Sequence, residues 1–138
     1  SSKIRLRMKL DPVLLPVDMA IPCGLILNEL ATNSLKHAFV GRDSGTIVIE
    51  LTCVDPGSVK LVFHDDGRGL PTEVDWQAAG SLGLRLIRML SRQLNGDLAL
   101  RNGSGTTFEL RFDLPVSARD SSSETKAVGD AKRQHSHR

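Results

Sequence analysis

The sequence predicts an α/β two-layer sandwich: a mixed, mostly antiparallel sheet covered on one face by helices. Three observations predict it. β-rich runs recur with period-two alternation of apolar and polar residues, two segments carry the apolar spacing of helices, and the order is strand, helix, hairpin, loop, helix, hairpin. Strands that follow one another across tight turns pair antiparallel, so a doubly wound parallel sheet is excluded.

The first strand is Ile4 to Leu10, where Ile4, Leu6, Met8 and Leu10 alternate with Arg5, Arg7 and Lys9. One face is expected in the core and the other in water. A connector punctuated by proline, Asp11 to Pro16, leads to a long helix from about Asp18 to Ala38, with Asp18 as its N-cap and the loop Gly41-Arg42-Asp43-Ser44-Gly45 as its stop. Thr46 to Cys53 and Ser58 to His64 form a hairpin across Asp55-Pro56-Gly57. An irregular stretch follows, Asp65 to Leu82. Leu84, Ile87, Leu90 and Leu94 then restore a helix over Gly83 to Leu94, stopped by Asn95-Gly96. Two strands, about Asp97 to Arg101 and Thr106 to Leu114, meet at the turn Asn102-Gly103-Ser104-Gly105. Residues 1–115 make one domain. The segment 116–138 is polar, rich in serine and charge, and too poor in apolar residues to offset the entropy of ordering, so it is expected to be a disordered tail.

The bulk properties narrow the function. With 138 residues, 40% of them hydrophobic, the chain has material for one modest core. Its 18 basic and 16 acidic residues nearly balance, and several of the basic ones fall in the tail, so a nucleic-acid-binding face is not implied. Cys23 and Cys53 lack the spacing of a zinc site or a disulfide framework and are read as reduced, buried thiols. There is neither a run long and apolar enough for a membrane span nor a signal-peptide layout. A cytoplasmic location without membrane contact is therefore expected. Because the chain opens inside a strand, further sequence is expected upstream.

Four clusters carry possible chemistry. On a helical wheel, Ile26, Leu27, Leu30, Ala31, Leu35 and Ala38 fill one side of the long helix, while Asn28, Glu29, Thr32, Asn33 and Lys36 fill the other. That polar arc reads equally as a solvated face. An acid, two carboxamides and a cation within two turns can also hold a metal, a phosphate and a water. Asn33 would offer its carbonyl oxygen to magnesium, a hard cation that keeps most of its waters, and Lys36 would meet phosphate oxygens. His37 lies at the edge of the apolar side, where a packed, hydrogen-bonded histidine is expected.

The second cluster is His64-Asp65-Asp66-Gly67-Arg68-Gly69-Leu70-Pro71, directly after an apolar strand. A carboxylate at a strand end can accept a hydrogen bond from the exocyclic amine of adenine, whereas guanine presents an acceptor there. Gly67 and Gly69 let the backbone pass close to a planar base, although the bare pattern is common in turns. The third is Gly80-Ser81-Leu82-Gly83-Leu84, where amides at a helix N-terminus can hold a polyphosphate; a glycine that merely restarts the chain is the bland alternative. Arg85, Arg88 and Arg92 share a face of that helix and read mainly as a solvated stripe. The last is Gly105-Thr106-Thr107-Phe108. Threonine is ordinary in strands, but a hydroxyl at Thr106 can support Asp65 or a water bridging to a base.

In this order the four clusters resemble the nucleotide-binding domain of the GHKL superfamily, which includes gyrase-type topoisomerases, heat-shock chaperones, mismatch-repair ATPases and histidine kinases. The wording is most similar to bacterial sensor histidine kinases with a compact lid. NELATNSLKHAF resembles their N box, DDGRGLP their first glycine box, SLGLRLI their second, and GTTF the threonine strand. The resemblance spans about residues 4–115. It implies the Bergerat-type sandwich, Asn33 on magnesium, Lys36 on phosphate, Asp65 on adenine, and Gly67, Gly69 and Gly83 shaping the pocket, with Leu70, Ser81, Leu82, Leu84, His37 and Thr106 around the nucleotide. Glu29 stands where GHKL ATPases keep a base that activates water. Ser81 departs from the glycine many relatives have before Leu-Gly-Leu. Residues Leu70 to Leu82, with Trp76, would be the lid.

The implied reaction moves the γ-phosphoryl group of ATP to a histidine imidazole on a dimerisation domain outside this chain, with a response regulator downstream. No histidine here suits an acceptor: His37 belongs to the nucleotide motif, His64 ends a strand, and His135 and His137 lie in the tail. The piece is expected to be monomeric and its parent protein a homodimer. Competing readings are a serine kinase of the anti-sigma type, which uses the same pocket, and a non-catalytic module that binds nucleotide to switch partners. A gyrase-like ATPase is disfavoured because no transducer domain follows Pro115.

Overall fold

The computed structural model describes residues 3–69 and 82–115. Its elements are β1 (Lys3–Leu10), α1 (Val17–Asn33), a π-helical turn (Ser34–Ala38), β2 (Ser44–Asp55), β3 (Ser58–Asp65), α2 (Leu82–Gln93), β4 (Asp97–Gly103) and β5 (Gly105–Asp113). The strands form one five-stranded sheet in the order β1-β2-β3-β5-β4. β1 runs parallel to β2, because the whole of α1 intervenes as a crossover; the other three pairings are antiparallel. The expected α/β architecture is thus present. Among the described residues no helix is long and apolar enough to cross a membrane.

Alternation explains the strands. In β3, Val59, Leu61 and Phe63 are buried, and in β5, Phe108, Leu110 and Phe112; between them stand Lys60, Val62, His64, Glu109 and Arg111 on the other face. The register pairs Phe63 with Phe108 and Leu61 with Leu110, so the apolar rows of neighbouring strands coincide. Onto this face α1 lays Cys23, Ile26 and Leu30, and α2 lays Leu84, Ile87 and Leu90. Val59 and Ile87 are completely buried. At roughly 1.5–3 kcal/mol for each fully buried aliphatic side chain, this layer is the main stabilising force. Turn chemistry closes the units. Gly57 (φ +83°) turns the β2–β3 hairpin, and Asn95 (φ +51°) ends α2, with the amide of Gly96 donating to the Ser91 carbonyl at 2.9 Å.

Several local expectations are corrected. Asp18 is not an N-cap: Pro16 holds that position, α1 starts at Val17, and Asp18 sits in its first turn, where its charge favours the positive end of the helix dipole. The face of β1 expected in the core is largely open, with Leu6, Met8 and Leu10 each more than half exposed. They share the inner face with Ile47, Ile49 and Leu51, but β1 is the edge strand and the helical layer stops short of it. Cys23 is buried as expected, whereas Cys53 is exposed beside the turn of the β2–β3 hairpin. The long helix does not keep one pitch to Ala38. Its last five residues form the π turn, and Leu35, expected on the apolar side, is 58% exposed: nine residues at about 100° each already set it opposite buried Ile26.

Candidate functional site

The site begins at the end of β3. Asp65 is its last residue, lying between Ile47 of β2 and Thr106 of β5 in the register and facing the helices. It is only 5% exposed. A carboxylate so buried needs hydrogen-bond donors, and two are supplied: the Ser34 hydroxyl donates to Oδ2 at 2.7 Å and the Gly67 amide donates to Oδ1 at 3.1 Å. Asp66, one residue on, points elsewhere. Its Oδ1 accepts from the Thr46 amide at 2.8 Å and its backbone carbonyl from Arg42 Nη1 at 2.7 Å, so it fastens the loop to β2. Consecutive acids therefore divide the work, one at the site and one in the scaffold.

In front of Asp65 is a cavity of about 350 Å³, within the size range of small-molecule sites. Leu30, Phe63, Leu84 and Phe108 make apolar walls, and Asn33, Ser34, Asp65 and Thr106 supply the polar groups. His37, Ala38, Arg68 and Gly69 complete it. A slot walled by aliphatic and aromatic side chains, with one carboxylate among a few hydroxyl and amide groups, suits a flat heterocycle that carries a hydrogen-bond donor.

Close backbone approaches build this arrangement. Gly105 has φ +102°, and a Cβ there would collide with the carbonyl of Asp65. Gly69, at φ +77°, passes the Asn102 side chain so closely that a Cβ would lie 2.7 Å from its Oδ1. Gly83 in the first turn of α2 rests over α1, where a Cβ would lie 2.8 Å from Glu29 Oε2 and 3.5 Å from Asn33 Nδ2. The N-terminus of α2 and the polar side of α1 therefore meet beside the cavity.

Of the residues singled out in the sequence, Asn33, His37, Asp65, Gly69, Leu84 and Thr106 come together on the cavity. Glu29 and Gly83 stand next to Asn33 at the α1–α2 contact. Gly67 is buried against Ala38 behind Asp65 rather than in the wall. Lys36 is exposed on the π turn and lines no part of the cavity, and Leu82 is 81% exposed. His37 is not the packed histidine expected: it is exposed at the cavity, because the π turn moves it off the apolar side. Leu70, Ser81 and almost all of the expected lid, Trp76 included, lie outside the described residues, as does the tail 116–138.

Sequence reasoning gave no individual role to Ser34, Arg68 or the Phe63–Phe108 pair, which line the cavity. Ser34 left a signal, since it falls one turn after Leu30 on the apolar side, where a hydroxyl requires a partner. The two phenylalanines left none, because alternation marks them as core residues whether or not a cavity opens beside them. Among the described residues no group of three or more His, Cys, Asp and Glu side chains is placed to hold a metal ion. The donors present, the Asn33 carboxamide and the Glu29 carboxylate, fit a magnesium ion held mainly by phosphate and water.

Comparisons with known proteins agree on a family. Residues 20–116 match the model described as histidine kinase-, DNA gyrase B-, and HSP90-like ATPase. The chain is 36% identical over 115 residues to blue-light-activated histidine kinase 2 of Erythrobacter litoralis, covering 83% of this chain and 33% of that protein. It is 32% identical over 120 residues to the sensor histidine kinase PdtaS of Mycobacterium tuberculosis, covering 84% of this chain and 23% of that one. Among solved structures, the histidine kinase domain of the Erythrobacter litoralis EL346 blue-light-activated histidine kinase superposes with a TM-score of 0.76 at 34% identity, over 80% of this chain and 52% of that chain. The chain thus spans a third or less of the curated relatives named here.

Proposed function

The chain belongs to the histidine kinase-, DNA gyrase B- and HSP90-like ATPase family and has the fold of a histidine-kinase catalytic domain, and from this premise we propose that it binds ATP in the Asp65 cavity and serves a larger sensor kinase as its phosphoryl donor. The observation that carries the reading is the buried carboxylate of Asp65, held by two donors at the edge of an apolar slot. Its remaining lone pairs accept the exocyclic amine of adenine, and the carbonyl of guanine is rejected. Leu30, Phe63, Leu84 and Phe108 cover the base.

The triphosphate extends from this slot toward the meeting of α1 and α2. There Asn33 offers an amide oxygen to magnesium, which neutralises phosphate charge when bound. Amides at the start of α2 donate to phosphate oxygens at the positive end of the helix, and Lys36 reaches those oxygens from the π turn. The acceptor imidazole, on a dimerisation domain of the parent protein, attacks the γ-phosphorus as its bond to the ADP oxygen breaks. Glu29, beside Gly83, orients that nucleophile. Such a loose transfer depends on charge neutralisation and in-line placement more than on covalent help. The parent is proposed to act in the cytoplasm as a homodimer that passes its phosphoryl group to a response regulator.

Calorimetric titration of the chain with ATP and GTP in magnesium tests the reading. ATP is expected to bind selectively, and Asp65→Asn to lose most of that preference; equal affinity for the two nucleotides in the wild type would overturn it.

A further inference from the structure

We propose that Ser34 is a positioning residue that sets the purine specificity of the cavity by fixing the carboxylate of Asp65; the inference rests on the adenine reading of Asp65. The contrast between two buried helical serines points to it. Ser91 of α2 donates its hydroxyl to the Ile87 carbonyl one turn earlier, at 2.8 Å, which is the usual local outlet for a serine within a helix. Ser34, 3% exposed, donates instead across 31 positions of sequence to Asp65 Oδ2 at 2.7 Å. Its own amide is already engaged with the carbonyls of Ala31 and Leu30, so the hydroxyl is the group left to face the sheet.

The geometry gives this bond a consequence beyond packing. Ser34 holds Oδ2 and the Gly67 amide holds Oδ1. One donor on each oxygen fixes the plane of the carboxylate, since rotation about Cβ–Cγ would lengthen both bonds. Each oxygen keeps a free lone pair, and Ser34, Asp65 and Thr106 all line the same cavity. Toward a ligand the carboxylate then offers acceptors in fixed directions. Without Ser34 only the Gly67 amide remains, the carboxylate can turn, and the acceptor aimed at the purine amine is lost. A ligand that lacks the amine gains nothing from that alignment and should be indifferent to Ser34.

Titration of the full chain with ATP and with purine riboside triphosphate, which carries hydrogen in place of the amino group, tests this. The wild type is expected to prefer ATP about tenfold, the value of one hydrogen bond to a charged group. Ser34→Ala should weaken ATP about tenfold and leave the analogue within about twofold, so that the preference collapses. Ser34→Cys, similar in shape and a weak donor, should fall between. If alanine weakens both nucleotides equally, or neither, Ser34 is a packing residue and the proposal is overturned while the role of Asp65 stands. If the wild type binds both nucleotides equally, the adenine reading fails and takes the Ser34 proposal with it. Circular dichroism of each variant separates loss of specificity from loss of fold.

Discussion

Gly83 sits against Glu29: a methyl group on its Cα would lie 2.8 Å from the Glu29 carboxylate oxygen Oε2. The atom in the way ends a flexible side chain, and alanine favours helix over glycine by up to about 1 kcal/mol. Gly83→Ala is therefore expected to fold with little change in stability while turning Glu29 away. Thermal melting should shift by only a few degrees, within about 1 kcal/mol. Phosphotransfer from ATP to a separately supplied acceptor-histidine domain should fall about tenfold or more, as expected when a positioned catalytic group is lost. Unchanged transfer would remove Glu29 from the mechanism.

Gly105 permits no such adjustment. Its φ of +102° is closed to other residues, and the obstacle to a Cβ is the backbone carbonyl of Asp65. Gly105→Ala should cost about 2–3 kcal/mol or more through strain and displacement of β3 from β5. For a domain of this size that is a drop of roughly 10 °C or more in Tm. A calorimetric scan showing a shift of under a few degrees would contradict the register at Asp65.

The two cysteines should separate cleanly in reactivity. Burial pushes the Cys23 thiol up to about 11 from 9.0, while Cys53 is exposed. Alkylation at pH 8 should label Cys53 alone in the native state and both residues in denaturant, as counted by mass spectrometry. The sign for stability follows. A thiol whose folded value is raised contributes fully below about pH 9 and loses that contribution as pH climbs toward about 11. Fast native labelling of Cys23 would show that the core under α1 opens.

On the outer face of the sheet, Glu109 is surrounded by Arg101 at 3.1 Å and by Lys60 and Arg111, each at 3.8 Å. Its hydrogen bond with Arg101, aided by the three positive charges, holds the carboxyl below its usual 4.5 against a smaller opposing effect of burial. The stability it confers is present above about pH 4.5 and lost as pH falls through the lowered value. Glu109→Gln is expected to cost about 0.5–1 kcal/mol at pH 7 in low salt, less in high salt, and progressively less as pH falls below about 4.5. Urea midpoints at those conditions check it.

The sequence by itself determined the order of elements, the hairpins and the inward faces of β3, β5 and α2, because alternation and helical spacing are local properties of the chain. It also marked most of the polar residues that the structure brings to one cavity, down to a carboxylate at a strand end. Only the tertiary structure decided which apolar faces are covered. Leu6, Met8 and Leu10 have the pattern of a buried face, yet they lie at a sheet edge that the helices do not reach. It likewise brought Ser34 to Asp65, and widened the last turn of the long helix from α to π, where His37 stands exposed at the cavity. The reason is the same in each case: a period states which residues share a side, whereas cover, contact across 31 positions and a local change of pitch depend on what the rest of the chain packs against that side.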